Sequence, residues 1–205
     1  MPEHLGIVEI LGIAGSVSLL SGWRLYLTAL ATGLAMHYGA LPLPEHLKAL
    51  QVLANPWVMG AAGLAAFMEF FADKVLWLDS LWDTVHTLIR PIGGALLTLA
   101  VVDPGDPATQ AIAFILGGGA SLLAHGGKAS ARAVVNTSPE PFSNVAVSTV
   151  EDVATTGLLY LAYSHPLAAG AVAAVLLVLT AALLVIAWRV LKRVVLRVQG
   201  EPANP

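Results

Sequence analysis

The chain has no cysteine. That excludes disulfides, thiolate nucleophiles and sulfur-ligated metal sites. Charge is scarce too: Asp, Glu, Lys and Arg make up 11% of 205 residues, against roughly 25% in soluble domains. With a formal net charge of −3, nothing offers a basic surface to a nucleic acid. No G-x-S-x-G, Walker loop or H-E-x-x-H pairing occurs, so the familiar hydrolase, nucleotide and zinc-protease signatures are missing. No cofactor is implied. What fills the space is apolar: 57% of residues, with a mean hydropathy of +0.78. This composition excludes a disordered or fibrous chain and points to an all-α, polytopic membrane bundle.

The segment from Leu167 to Trp188 carries no charge. As a helix it reaches about 33 Å, matching a hydrocarbon core of roughly 30 Å. Arg189, Lys192, Arg193 and Arg197 follow it and read as a cytoplasmic basic stop. The other expected segments are Ile10–Met36, Pro56–Leu78, Ser80–Val102, Ala108–Asn136 and Phe142–Ser164. That makes about six, in one integral membrane domain over 1–198, with 199–205 as a flexible tail. An even number puts both termini on one side, and the positive-inside rule makes that side cytoplasmic. The N-terminal MPEHLGIVEIL has no basic region and no A-x-A site, so the first helix is expected to be retained. Residues 39–55 and the Asp103–Asp106 stretch are expected as loops on the opposite side.

The segments divide three and three, giving half-repeats 5–102 and 108–192. Gly15–Arg24 resembles Gly118–Lys128 with one insertion, each ending in a cation after glycine. An odd number of spans per half makes the halves inverted, a plan common among transporters with broken or re-entrant helices.

Charges inside these segments are the informative feature. Each costs about 2.5–3.5 kcal/mol near the centre of a membrane helix, so they must face one another, a wet cavity or the interface. Arg24, Glu69, Asp73, Glu151 and Asp152 form the candidate substrate or ion site. Clustered carboxylates suit hard cations or proton coupling; the competing reading is ion pairing with Arg24, Lys128 or Arg132. Asp79, Asp83, His86 and Arg90 recur at helical spacing as one polar stripe, with Pro91 placed to kink it. Ser121, His125, Lys128, Arg132 and Asn136 form a second, basic stripe, and the two are expected to meet. His86 and His125 read as hydrogen-bonded helix histidines rather than metal ligands or relays, because no paired-histidine spacing is present. Lys128 and Arg132 also suit a lipid phosphate. The stretch NTSPEPFSN (136–144) is too polar for lipid and reads as a loop or re-entrant turn, with Ser143 or Asn144 capping the next helix.

The strings EFFADK (69–74), DSLWDTVHTLIRP (79–91), AHGGKASARAVVN (124–136) and SPEPFSN (138–144), with Glu151-Asp152 following, resemble a bacterial membrane family. It is catalogued as domain of unknown function 4126. The resemblance spans roughly residues 10–192 and implies an integral membrane protein of several helices in a bacterial inner membrane, with no activity to carry over.

Three readings follow from the residues. The first is a small transporter or channel, coupled to a cation or proton. The second is a non-catalytic scaffold or lipid-interacting protein whose buried charges are structural. The third is an intramembrane enzyme acting on a lipid head group. The expected partners are the lipid bilayer and a small ion or solute; small-residue faces permit a homodimer.

Overall fold

The computed structural model describes residues 6–39, 45–102, 105–135 and 141–198. They form six α-helices: α1 (Ile7–His37), α2 (Pro56–Ala72), α3 (Leu76–Val102), α4 (Pro107–Val135), α5 (Pro141–Ser164) and α6 (Pro166–Val198). A 3-10 helix, Glu45–Ala54, precedes α2. No strand occurs among the described residues. Four of these helices open on proline, whose missing N–H costs nothing in the first turn and whose fixed φ suits it. Asn55 caps α2 by accepting the Trp57 N–H at 2.9 Å. Asp106 caps α4 by accepting the Ala108 and Thr109 N–H groups at 3.1 and 3.0 Å.

Five helices (α1, α3, α4, α5 and α6) are long and apolar enough to cross a membrane. α2 has 17 residues, about 25 Å of helix, at the lower limit for a crossing. The distribution of polarity runs opposite to that of a protein in water. Val178, Leu183 and Ile186 on α6 are exposed, as are Phe67 and Phe71 on α2, whereas Arg24, Glu69, Asp73, Arg90 and Arg132 are buried. Apolar surface outside and charge inside is what a hydrocarbon solvent selects.

α1 is the central helix and touches every other one. Its face carrying Ile13, Val17 and Leu20 forms the apolar core with Val101 and Ala173. The two halves of the chain share this core, and the broadest contact joins α3 to α4, one from each half.

Several boundaries differ from expectation. The segment beginning at Pro56 stops at Ala72, not Leu78, because Asp73 and Lys74 form a turn with Asp73 closing the helix end. α3 therefore starts at Leu76, not Ser80, and runs unbroken through Pro91 to Val102 as one membrane-length helix. The stretch expected as a plain loop at 39–55 holds the 3-10 helix, whose Leu50 is fully buried in the core. Ser143 and Asn144 do not cap α5, since that helix already begins at Pro141. Residues 136–140 of the polar stretch, Asn136 included, residues 103–104 of the loop expected after α3, residues 1–5 and the 199–205 tail lie outside the described residues. A break does occur, but in α1: the backbone of Arg24 leaves the helical region (φ −145°, ψ 71°).

Candidate functional site

The break in α1 places Arg24 where four elements converge. Its guanidinium forms an ion pair with Asp73 at the end of α2. It also lies 3.3 Å from Glu151 and 3.1 Å from Asp152 on α5. The same acids take cations from α4. Lys128 lies 3.4 Å from Asp73 and 3.5 Å from Glu151, and Arg132 lies 3.1 Å from each. Asp73 Oδ2 and Glu151 Oε2 are thus each shared by Arg24, Lys128 and Arg132. Arg24 also donates to the Ser148 hydroxyl and carbonyl at 3.0 and 3.2 Å. Lys74 reaches the same hydroxyl at 3.4 Å and rests on the Phe70 ring. We call this cluster the hub.

The hub is deep but not sealed. Asp73, Arg24 and Arg132 are at most 1% exposed, whereas Glu151 and Asp152 are 15% and 26% exposed. Its pairing is also incomplete. Arg24 Nε approaches Asp152 at 3.1 Å but at an angle too poor for a hydrogen bond. Arg132 Nε, Asn144 Nδ2 and Asp73 Oδ1 likewise have no partner.

A second cluster, the seam, joins α3 to α1, α2 and α4. Arg90 donates to Glu69 at 2.6 Å and to Asp83 at 3.1 Å. Gly22 and Gly94 permit the close approach: a Cβ on Gly22 would collide with the Ser121 carbonyl, and one on Gly94 with the Ser121 side chain. Ser121 in turn donates to the Arg90 carbonyl at 2.9 Å.

The seam fixes the orientation of both histidines. Arginine can only donate, so the 2.7 Å contact from Arg90 makes His125 Nδ1 an acceptor. Its proton sits on Nε2, facing the Asp83 carbonyl at 3.1 Å and the Thr87 hydroxyl at 3.2 Å. In His86, Nδ1–H donates to the Trp82 carbonyl at 2.7 Å, and Nε2 shares a hydrogen bond with the Tyr26 hydroxyl at 2.9 Å. In each ring both nitrogens are engaged, the arrangement of a hydrogen-bonded helix histidine. No group of three or more His, Asp or Glu suited to a metal occurs among the described residues.

The broken helix serves both clusters. A break releases carbonyls of the preceding turn from the i→i−4 ladder. Here the Gly22 carbonyl accepts Arg90 at 3.4 Å and the Trp23 carbonyl accepts Lys128 at 3.2 Å.

The structure brings Arg24, Asp73, Glu151 and Asp152 together but places Glu69 with Arg90 in the seam. The two polar stripes meet through Arg90, Ser121 and His125. Farther along α4, Lys128 and Arg132 leave that line for Asp73 and Glu151, so their partners are not Asp79 and Asp83. Asp79 is buried and engaged.

Sequence reasoning missed Ser148 and the role of Asn144, whose side-chain oxygen accepts from Arg132 at 3.4 Å. A signal was present: Asn144, Ser148, Glu151 and Thr155 follow one another at helical spacing, a polar stripe along α5. The backbone carbonyls of α1 had no such signal.

The model of a family described as "Domain of unknown function (DUF4126)" matches residues 11–186. No curated protein and no solved structure matches the chain.

Proposed function

For a chain that belongs to the family of domain of unknown function 4126, we propose a small membrane transporter whose substrate site is the hub, coupled to a cation or proton. One observation carries the reading: α1 is broken at Arg24, within the cluster of acids and cations. Broken helices at a buried charged site are how transporter folds supply free backbone groups and a hinge together. A bundle locked only by ion pairs needs neither.

Chemically, Asp73, Glu151 and Asp152 are the acceptors. A cation or proton arriving at Asp152, the most exposed of them, weakens its hold on Arg24. The released guanidinium then draws on Asp73 and Glu151, which loosens the hold of those acids on Lys128 and Arg132. The two halves of α1 meet at Arg24 and are positioned to respond to that exchange.

The test is flux in proteoliposomes loaded with a pH-sensitive dye, under imposed sodium, potassium and proton gradients. Asp152→Asn and Glu151→Gln are expected to abolish dye-reported flux while the protein stays folded and monodisperse. Normal flux in both variants overturns the site assignment.

The scaffold reading keeps one observation in its favour, the burial of Arg24, Asp73 and Arg132 to 1% or less. It expects no flux from the parent protein under any gradient. It also expects the matched pair Arg24→Gln with Asp73→Asn to recover the stability that either single change removes. Of the ion pairings that this reading offers, Glu69 with Lys128 is not one here, since Lys128 lies on Asp73 and Glu151 and Glu69 on Arg90.

A further inference from the structure

The break at Arg24 turns α1 back on itself, and its neighbour α5 shows this by running beside α1 on both sides of the break. Arg24 lies against Ser148, Glu151 and Asp152. Before the break, Ser16 and Leu20 line one small void with Leu158. Earlier still, Gly12 meets Pro166 at the start of α6, where a Cβ would collide with the Pro166 carbonyl. Stepping backward from Arg24 along α1 therefore leads forward along α5. Stepping forward from Arg24 leads the same way: the Thr32 hydroxyl shares a hydrogen bond with the Tyr163 hydroxyl at 3.0 Å. In a continuous helix Gly12 and Thr32 would stand about 30 Å apart. Yet the residues that hold them, Tyr163 and Pro166, are joined by at most about 11 Å of chain.

We infer that α1 is a re-entrant hairpin. Its arms, on either side of Arg24, enter and leave the membrane on one face, and Arg24 is the tip. The five crossings are then α2 to α6, so the start of α1 and the end of α6 lie on opposite faces. Six straight crossings would return both ends to one face. Backbone that leaves the helix at membrane depth is tolerated where protein buries it, and Arg24 is 1% exposed.

The other contacts agree with this arrangement. Gly33, on the second arm, meets the Leu53 carbonyl of the 3-10 helix that precedes α2. Gly94 meets Ser121 and Gly117 meets Thr98, so α3 and α4 run antiparallel. One face thus holds the start of α1, the start of α4 and the turn from α5 to α6. The other holds the turn from α2 to α3 and the ends of α4 and α6. Lys74, Arg189, Lys192 and Arg193 fall on this second face, which makes it cytoplasmic by the positive-inside rule. The hub lies toward the same face, since Asp73 closes α2 at that turn and Arg132 is in the last turn of α4. The fold-back holds whether or not the hub transports anything.

Because the chain has no cysteine, single cysteines report sidedness directly. Ile7→Cys, Asp106→Cys and Arg193→Cys place thiols at exposed positions at the start of α1, the start of α4 and near the end of α6. Each full-length variant is expressed in bacteria, and spheroplasts are treated with a membrane-impermeant maleimide before and after permeabilisation. Positions 7 and 106 should react in intact spheroplasts, and position 193 only once they are opened. Labelling of position 7 that follows position 193 instead of position 106 overturns the hairpin. A distance measurement decides the matter if lipid keeps position 7 from reacting. Spin labels at Leu11→Cys and Leu34→Cys, exposed positions on the two arms, would be about 35 Å apart along a continuous helix. The hairpin should hold them within about 25 Å, allowing for the reach of the side chains. A longer separation by pulsed electron–electron double resonance overturns it.

Discussion

The hub and the seam are built from the same residue types and lie side by side, yet they differ in how they are closed. In the seam, Arg90 holds Glu69 and Asp83, and glycine at positions 22 and 94 brings α1 and α3 onto Ser121. Arg90, Glu69, Asp83 and His125 are all 6% exposed or less. In the hub, three cations share single carboxylate oxygens, contacts lengthen to 3.5 Å, and Asp152 is 26% exposed. Burial of charge alone therefore does not mark a working site. Both clusters hold buried polar atoms without a hydrogen bond, Glu69 Oε2 and Arg90 Nε in the seam among them; what sets the hub apart is that three cations share single oxygens beside a helix break, which keeps alternatives of similar energy within reach.

The strongest way to break this comparison is to remove the centre of the seam. Arg90→Leu leaves Glu69 and Asp83 buried without their cation, which should cost about 3–5 kcal/mol. Thermal unfolding in detergent should show a large loss, and Arg90→Leu combined with Glu69→Leu should recover much of it. A single variant that melts like the parent would mean that the seam is not closed as described.

Packing gives the next effect. Gly22→Ala sets a methyl against the Ser121 carbonyl and should cost about 1–3 kcal/mol. Gly60, also in a helix, has nothing near its absent Cβ, so Gly60→Ala should be neutral or slightly stabilising. Similar losses from both would remove the close approach as the reason for glycine at position 22.

Asp152→Asn sharpens the contrast from the other side. Its carboxylate is partly exposed, and its ion pair with Arg24 is poorly aligned. Stability should move by less than about 1 kcal/mol, while flux is lost. A large stability loss with flux intact would reverse the roles of hub and seam.

The helical bundle was legible because hydropathy and helical periodicity are local properties of the chain. So were the intramembrane charges, since their cost in lipid marks each one. Which charge meets which was not legible. Glu69 and Asp73 share a helix face by spacing, but Asp73 sits at the α2 end, on a turn, and that turn sends the two acids to different clusters. Pro91 looked like the place for a break, yet α3 passes through it while α1 breaks at Arg24. A proline removes one hydrogen bond, and packing can absorb that. The break at Arg24 follows Ser21-Gly22, a pairing that weakens a helix locally, but the acids that hold Arg24 there come from α2 and α5, distant in sequence.

The smallest expected effect comes from a charge that belongs to neither cluster. Asp106 is exposed and opens α4, where hydrogen bonds from Thr109, with further ones from backbone N–H groups, hold its carboxyl below the usual carboxylate range. A depressed value means the carboxylate form is favoured in the folded state. Its contribution is therefore fully present above the ordinary aspartate value of about 3.9 and fades as pH falls through the folded value. Asp106→Ala should melt slightly below the parent at neutral pH, and the two curves should converge in acid. The hub and seam variants should show no such convergence with the parent while their defects are those of missing partners in the interior. If Asp106→Ala instead matched the loss of Arg90→Leu, stability would be governed by helix ends rather than by the buried charge network, and the contrast between seam and hub would lose its basis.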